Sequence, residues 1–539
     1  MPLSLKNKFA LLLTDRATFI AKARGKLKGK IWYKDDNTIK FIAHNKKVWR
    51  DWRSDAQHSV ILFDYYKIAE TEIARSYLLN VLAKKHNAKI VSYSHGKSSS
   101  PVWDKIYSSF NVDEHLKISL TGDQQARSSK LSNEIIINTK TKQELFNLTI
   151  FSVWIGVDIY EEFLMRYTEP TVIIDDSRLH NIIREGIDAL IFWKEYLEKN
   201  NVKAVISSHI GARLEKNLPL KIAGQLFNIP FYSTHARGMT HYPQPHQYHQ
   251  EIEKHYMSYH EKFKTLPEHT QNEGINWAKE RLQKRLSGTI GIDMAYATKS
   301  AFTSKISSKP VLTKSSRIKI LVATHEFYDS PNAYGNLLFT DFYEWLMFLG
   351  KISKKSNYDW YIKHHRDALP ISKRVIKKIV DEIPKFNLVP AETSFHQLAN
   401  EGIDYVLTCY GSVGHECPLL GMNVINAGNN PHMGYDFNCN PKTVDEYENL
   451  LLNLGELKKE VNFDDIYEFY YMNFKETGEI DDWIYPSYKK MLTELSLKER
   501  HGSSIFEYFL DSFTTEKHQL IISRMTDFIE SGKSGSPEY

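Results

Sequence analysis

Residues Asp404 to Gly428, DYVLTCYGSVGHECPLLGMNVINAG, constrain the fold more than any other stretch of the chain. Asp404-Tyr-Val-Leu-Thr-Cys409 is a short apolar, β-branched run with turn residues on both sides, the pattern of a buried parallel strand. Tyr410-Gly-Ser-Val-Gly414 reads as the strand-to-helix turn. His415 to Leu420 opens a short helix, Gly421 ends it, and Met422-Asn-Val-Ile-Asn426 is the next buried strand. The stretch is one β-turn-α-β unit. A small-residue turn at a helix start offers free backbone N–H groups to an anion, and its glycines let a phosphate approach closely. Glu416, two residues past the last turn glycine, is placed to accept hydrogen bonds from ribose hydroxyls. Any αβ turn of a Rossmann-like sheet shares this spacing, so a lone Gly-x-x-Gly leaves an ordinary turn open beside the nucleotide site.

The rest of the chain repeats the alternation. In the first half, strands are expected at Ser59–Asp64, Lys89–Tyr93, Thr171–Asp175, Lys203–His209 and Ile229–Ser233, with helices between them and a long one from about Arg178 to Lys199. A second series starts at Arg317–Ala323 and continues through Asp359–His365 and Asn387–Val389 to the opening unit. At 539 residues the chain is long enough for two such domains. Ahead of them, residues 1–50 read as a basic segment followed by a β-hairpin over Lys30–Ala43, turning at Asp35-Asp36-Asn37. The expected organisation is a first α/β domain over 51–300, a polar linker over 301–316, a second domain over 317–455, closing helices over 456–529 and a disordered tail over 530–539.

Ligands of open α/β sheets lie beyond the carboxyl ends of the strands, so polar residues at strand ends are the candidates for chemistry. In the first half these are Asp175, Asp176, His209 and His235. In the second they are His325 and Glu326 in the long loop after the first strand, the cationic run Lys363-His-His-Arg366, the turn Tyr410, Gly411, Ser412, Val413 and Gly414, then Glu416, and Asn426 before a glycine-rich loop that reads as a lid. A Lys and histidines beyond a strand end can hold and protonate a leaving phosphate near neutral pH. His241, His246 and His249 alternate with Tyr and Pro, which suits a loop over the cleft; their spacing fits no compact zinc pattern, and no metal site is expected.

Charge and cysteines narrow the class. The chain carries 70 Lys+Arg against 65 Asp+Glu, a balance that gives no footprint for nucleic acid. Its three cysteines lack paired spacing and read as reduced thiols of a cytoplasmic protein. No run of about 18 apolar residues suggests a membrane span. The first thirty residues hold eight Lys and Arg against Asp15 around an apolar Phe9–Leu13, which suits either an ordinary solvated helix or peripheral contact with the cytoplasmic face of an inner membrane.

Gly411-Ser-Val-Gly-His-Glu416, followed by Pro418-Leu-Leu-Gly-Met-Asn-Val-Ile425, resembles the donor-site signature of GT-B glycosyltransferases, with Asn423 where those enzymes usually carry Pro. The likeness is to bacterial capsule and surface-polysaccharide enzymes, including Kdo transferases and teichoic-acid glycerophosphotransferases. Ser207 to Gly238 resembles their acceptor-domain end, and Lys363-His-His-Arg-Asp367 their Lys/His element, with His364 favoured over His365 as the active histidine. The resemblance implies two Rossmann-like domains facing a cleft, with C-terminal helices crossing back. It implies transfer from a nucleotide-activated sugar to a glycan or glycolipid acceptor, with His364 and the turn binding the donor and His209, His235, Asp175 or Asp176 as base. CMP- or CDP-linked donors such as CMP-Kdo are favoured, with UDP- or GDP-hexoses open. No Asp-x-Asp motif follows an apolar strand in the donor half, so no obligatory metal or other cofactor is expected. The alternatives are a CDP-glycerol or CDP-ribitol phosphotransferase, a non-catalytic nucleotide-sugar scaffold and a sugar-nucleotide epimerase.

Overall fold

A computed structural model describes residues 35–52, 58–94, 100–208, 214–235, 238–242, 256–290, 292, 299–302, 309–328, 330–332, 334–335, 337–365, 368–457, 460–476, 484–485, 490–491 and 494–533; the side chains of 235, 238, 475 and 476 are outside it. In chain order the first domain contains α1 (Asp36–Val48), β1 (Ser59–Asp64), α2 (Ala69–His86), β2 (Lys89–Ser94), α3 (Pro101–Ser109), β3 (Val112–Lys117), α4 (Gly122–Asn138) and α5 (Lys142–Phe146). A small hairpin, β4 (Thr149–Ile150) and β5 (Val153–Trp154), leads to α6 (Gly156–Tyr167), α7 (Ser177–Lys199), β6 (Asn201–Ser207), α8 (Leu214–Phe227), β7 (Phe231–His235) and β8 (Gly238–Tyr242). The sheet order is β3-β2-β1-β6-β7-β8, parallel except for β8. Because the chain builds outward from β1 to β3 and then returns to β6, the topology switches between β1 and β6. Both faces of β1 are covered: Val60 and Leu62 join the core with α6, α7 and α8, while Ile61 and Phe63 join the core with α2 and α3. That double burial explains its unbroken apolar sequence.

After α9 (Tyr259–Thr265) and α10 (Glu268–Leu286), the second domain runs β9 (Lys319–Ala323), α11 (Phe342–Lys355), β10 (Asp359–Lys363), α12 (Pro370–Glu382), β11 (Phe386–Leu388), α13 (Phe395–Asn400), β12 (Tyr405–Thr408), α14 (Val413–Glu416), β13 (Asn423–Asn426) and α15 (Val444–Leu452). All its strands are parallel, in the order β11-β10-β9-β12-β13, so the switch falls between β9 and β12. The closing helices are α16 (Phe463–Tyr471), α17 (Leu497–His501), α18 (Ser504–Asp511) and α19 (Thr515–Ser531). The last two return to the first domain: Phe506, Phe509, Ile521 and Met525 complete the core under α1 and α2, and Phe506 stacks on Phe41 with centroids 4.2 Å apart. Two Rossmann-like domains with C-terminal helices crossing back form the GT-B architecture that the sequence leads one to expect.

Three further features position the site. Helices α9 and α10 precede the second domain in sequence yet pack with α16, Tyr435 and Phe437 into one layer; a side chain at Gly274 of α10 would meet the Tyr471 ring at 2.9 Å. Val311 N and Leu312 N, in the expected linker, donate to Glu401 at 2.9 and 2.7 Å. Helix α6 of the first domain meets the loop after β9: Asn332 N donates to Glu161 at 2.8 Å, and the Tyr160 hydroxyl donates to Asp341 at 2.5 Å.

Two sequence expectations are corrected. The described part of the expected hairpin, residues 35–43, starts a helix, because Asp35 caps α1 by accepting from Thr38 N at 3.0 Å and Thr38, Phe41 and Asn45 form its buried stripe. Thr171–Asp175 forms no strand: Ile173 is 52 % exposed, and Asp176 ends the segment as the cap of α7. Residues 1–34, with the basic segment, lie outside the described residues. No described helix is long and apolar enough to cross a membrane.

Candidate active site

The turn after β12 is held from beneath. Thr408 Oγ1 accepts from Gly411 N at 3.2 Å and lies 3.0 Å from His325 Nε2, which also accepts from Cys409 N at 3.2 Å. The imidazole lies between Phe342 and Tyr410, and burial pushes its pKa down to about 3. It is neutral near pH 7 and serves as a fixed acceptor under the turn. Close approach demands glycine twice: a Cβ at Gly411 would lie 2.9 Å from Thr408 Oγ1, and one at Gly414 would lie 2.4 Å from His432 Cε1. The amides of Ser412 and Val413 make no hydrogen bond among the described residues. They are unpaired donors of the turn among the described residues.

Glu416 ends α14 with its side chain 2 % exposed, ion-paired to Arg285 Nε and accepting from Ser412 Oγ at 3.1 Å. Lys363, at the end of β10, turns inward, donating to Ala391 O at 2.8 Å with its ammonium 5.4 Å from the Phe395 ring centroid. It thereby fixes the segment leading into α13, whose cap is Ser394. His364 stays partly exposed, its Nδ1 3.3 Å from His365 O. Glu326 accepts from Leu369 N at 3.0 Å and from Ser372 Oγ, tying the loop after β9 to the start of α12. Tyr410 packs on Tyr334 of the same loop, with centroids 5.0 Å apart. Asn426 donates to Asn440 at 2.9 Å, while its own Oδ1 is buried with no hydrogen-bond partner among the described residues. In the glycine-rich loop after it, His432 is hydrogen-bonded to His415 at 3.0 Å, pinning that loop to α14.

In the first domain, the strand ends at the switch between β1 and β6 carry a charged cluster that sequence reasoning missed. Asp64 accepts from Arg75 Nη2 at 3.0 Å, Ser208 N at 2.8 Å and Ser208 Oγ at 2.7 Å. Arg75 also donates to Glu72 at 2.8 Å and to Thr234 Oγ1 at 3.0 Å. Lys216, at the start of α8, donates to Ser208 Oγ at 2.7 Å with its ammonium 3.9 Å from the Tyr66 ring centroid. Burial opposes ionisation of Asp64, but Arg75, Lys216 and the Ser208 hydrogen bonds outweigh it and hold the carboxyl below its usual range. Asp64 closes an apolar strand in the sequence, and the strand-end rule that selected His209 would have selected it too.

The expected first-domain residues are placed differently. Asp175 is exposed, and Asp176 is bound to Arg178 at 2.6 Å while capping α7. His235 closes β7, with its side chain outside the described residues; His209, His246 and His249 lie outside them altogether. His241 is buried against Tyr232, with Nδ1 2.8 Å from Lys533 O. Among the described residues no three His, Cys, Asp or Glu side chains are grouped to hold a metal ion.

No family model and no curated protein matches the chain. Among solved structures it is similar to Thermosulfurimonas dismutans KpsC, a β-Kdo 2,4 transferase, at 13 % identity and a TM-score of 0.31 over 55 % of this chain and 88 % of that one. UDP-GlcNAc 2-epimerase from Neisseria meningitidis, bound to UDP-GlcNAc, is similar at 12 % identity and a TM-score of 0.18 over 85 % and 100 % of the two chains. The GT-B domain of a sialyltransferase from Photobacterium damselae is similar at 9 % identity and a TM-score of 0.16 over 77 % and 97 %. The two-domain architecture itself is read from the strand order and the returning helices.

Proposed function

We propose that the protein is a glycosyltransferase that moves a sugar from a nucleotide-activated donor, bound at the second domain, to a glycan or glycolipid acceptor at the strand ends of the first. The observation that carries this reading is the turn after β12, where two glycines are required by close approach, two amides await a partner, and Glu416 follows on the same short helix. Phosphate oxygens accept from the Ser412 and Val413 amides, and His364, at the end of β10 two strands away in the same sheet, protonates the leaving group. Lys363 supports this site by fixing the segment into α13. The acceptor hydroxyl loses its proton to His209 or His235, since Asp175 stands at no strand end and Asp176 is committed to Arg178 and the α7 cap. CMP-linked Kdo or another nonulosonic acid is the favoured donor, on the resemblance of the turn and the Lys/His element to Kdo transferases.

The test is a melting titration of the folded protein with CMP, CDP, UDP and GDP, since a ligand that binds only the native state raises the midpoint by mass action. CMP is expected to give the largest rise. A CDP response in its place favours the phosphotransferase, and no response to any of them contradicts the donor site.

A further inference from the structure

The C-terminal end of α10 lies at the back of the glycine turn, although 131 residues separate Arg285 from Glu416. Arg285 Nε donates to Glu416 Oε1, and Arg285 Nη1 donates to Ile292 O at 3.1 Å. The next residue, Leu286, has its carbonyl 2.8 Å from His396 Nε2 in α13, the helix that follows the segment fixed by Lys363. One helix end therefore touches both α13 and α14. It is anchored there by Ala278 and Leu282, which pack with Phe469 and Tyr470 of α16.

Glu416 is a buried carboxylate, and a buried carboxylate stays ionised only with a charged partner and hydrogen bonds. Arg285 and Ser412 supply both, one on each oxygen. An ionised carboxylate accepts at about four lone-pair positions, so this arrangement fixes the rotamer and leaves about two positions unfilled.

We propose that Arg285 is a positioning residue of the nucleoside pocket, holding Glu416 charged and in the one orientation from which it accepts from the ribose hydroxyls of the donor. This rests on the nucleotide-sugar reading above and adds to it a helix from outside the donor domain's own sheet. The helical layer of α9, α10 and α16 is thereby part of the binding apparatus as well as a cover.

The test is isothermal titration of the full chain with whichever of CMP, CDP, UDP or GDP binds, and with its 2′,3′-dideoxy counterpart. The wild type is expected to prefer the ribonucleotide by about tenfold or more, the worth of a hydrogen bond to a charged group. Arg285→Met is expected to bind both alike, at the dideoxy affinity of the wild type, and Arg285→Lys to recover part of the preference. The double variant Arg285→Met with Glu416→Gln buries no unpaired charge, so it serves even where Arg285→Met does not fold; it is expected to match Glu416→Gln alone. An Arg285→Met protein with the wild-type preference, or a double variant that differs from Glu416→Gln, overturns the inference. A folded wild type that binds none of the four nucleotides overturns the donor-site reading itself.

Discussion

Asp64 gathers the strand ends of the first domain. Its two oxygens take hydrogen bonds from α2 through Arg75 and from the end of β6 through Ser208, so a single carboxylate ties two elements at the switch point. Arg75 is fully buried between Asp64 and Glu72, and a buried cation stripped of one of its partners is costly. Asp64→Asn is expected to lower unfolding free energy by about 3–5 kcal/mol in denaturant titrations; a loss below about 1 kcal/mol would show that the carboxylate does not hold these ends. The pH dependence follows from the sign of the shift. The folded pKa lies below the ordinary 3.8, so the stabilisation is present above that value and is lost as the pH falls through the folded one. The wild type is therefore expected to lose stability more steeply in acid than Asp64→Asn does.

Among the elements, α1 tests the return of the C-terminal helices most simply. Phe41 stacks on Phe506 and meets Phe509 edge-on at 6.1 Å, so Phe41→Ala is expected to cost about 3–5 kcal/mol of stability in the same titrations. A cost near zero would place the helices' hold elsewhere. The same helix shows what the sequence left ambiguous. Asp35-Asp36-Asn37 serves equally as a hairpin turn and as a helix start, and only the burial of Thr38, Phe41 and Asn45 decides for the helix. At Thr171–Asp175 an apolar triplet suggested a strand, but only Val172 is buried and β6 takes the place beside β1. The strands β9, β10, β12 and β13 were legible because buried parallel strands read as short apolar runs between turn residues. The glycine turn was legible for the same local reason. The Arg285–Glu416 pair and the Asp64 cluster were not, because their partners are brought together only by the fold.

For the whole molecule, the domains meet where α6 touches the loop after β9. Glu161 of α6 accepts from both nitrogens of Asn332, and burial lifts its pKa to about 7 despite those hydrogen bonds. An acid raised in this way stays protonated in the folded protein while it ionises in the unfolded chain. Its contribution therefore makes stability fall as the pH rises from about 4.5 to about 7, by at most about 3 kcal/mol. Glu161→Gln is expected to flatten that part of the stability profile; an unchanged slope would show that Glu161 is already ionised at the contact. The central claim is that the turn after β12 binds the nucleotide of a sugar donor, and isothermal titration of Gly414→Ala beside the wild type tests it most directly. With the nucleotide that raises the melting midpoint most, the wild type is expected to bind once per chain. The variant is expected to lose about tenfold or more, because the added methyl forces the His432 ring and the turn apart. Equal affinity in both folded proteins would place the nucleotide elsewhere and contradict the account.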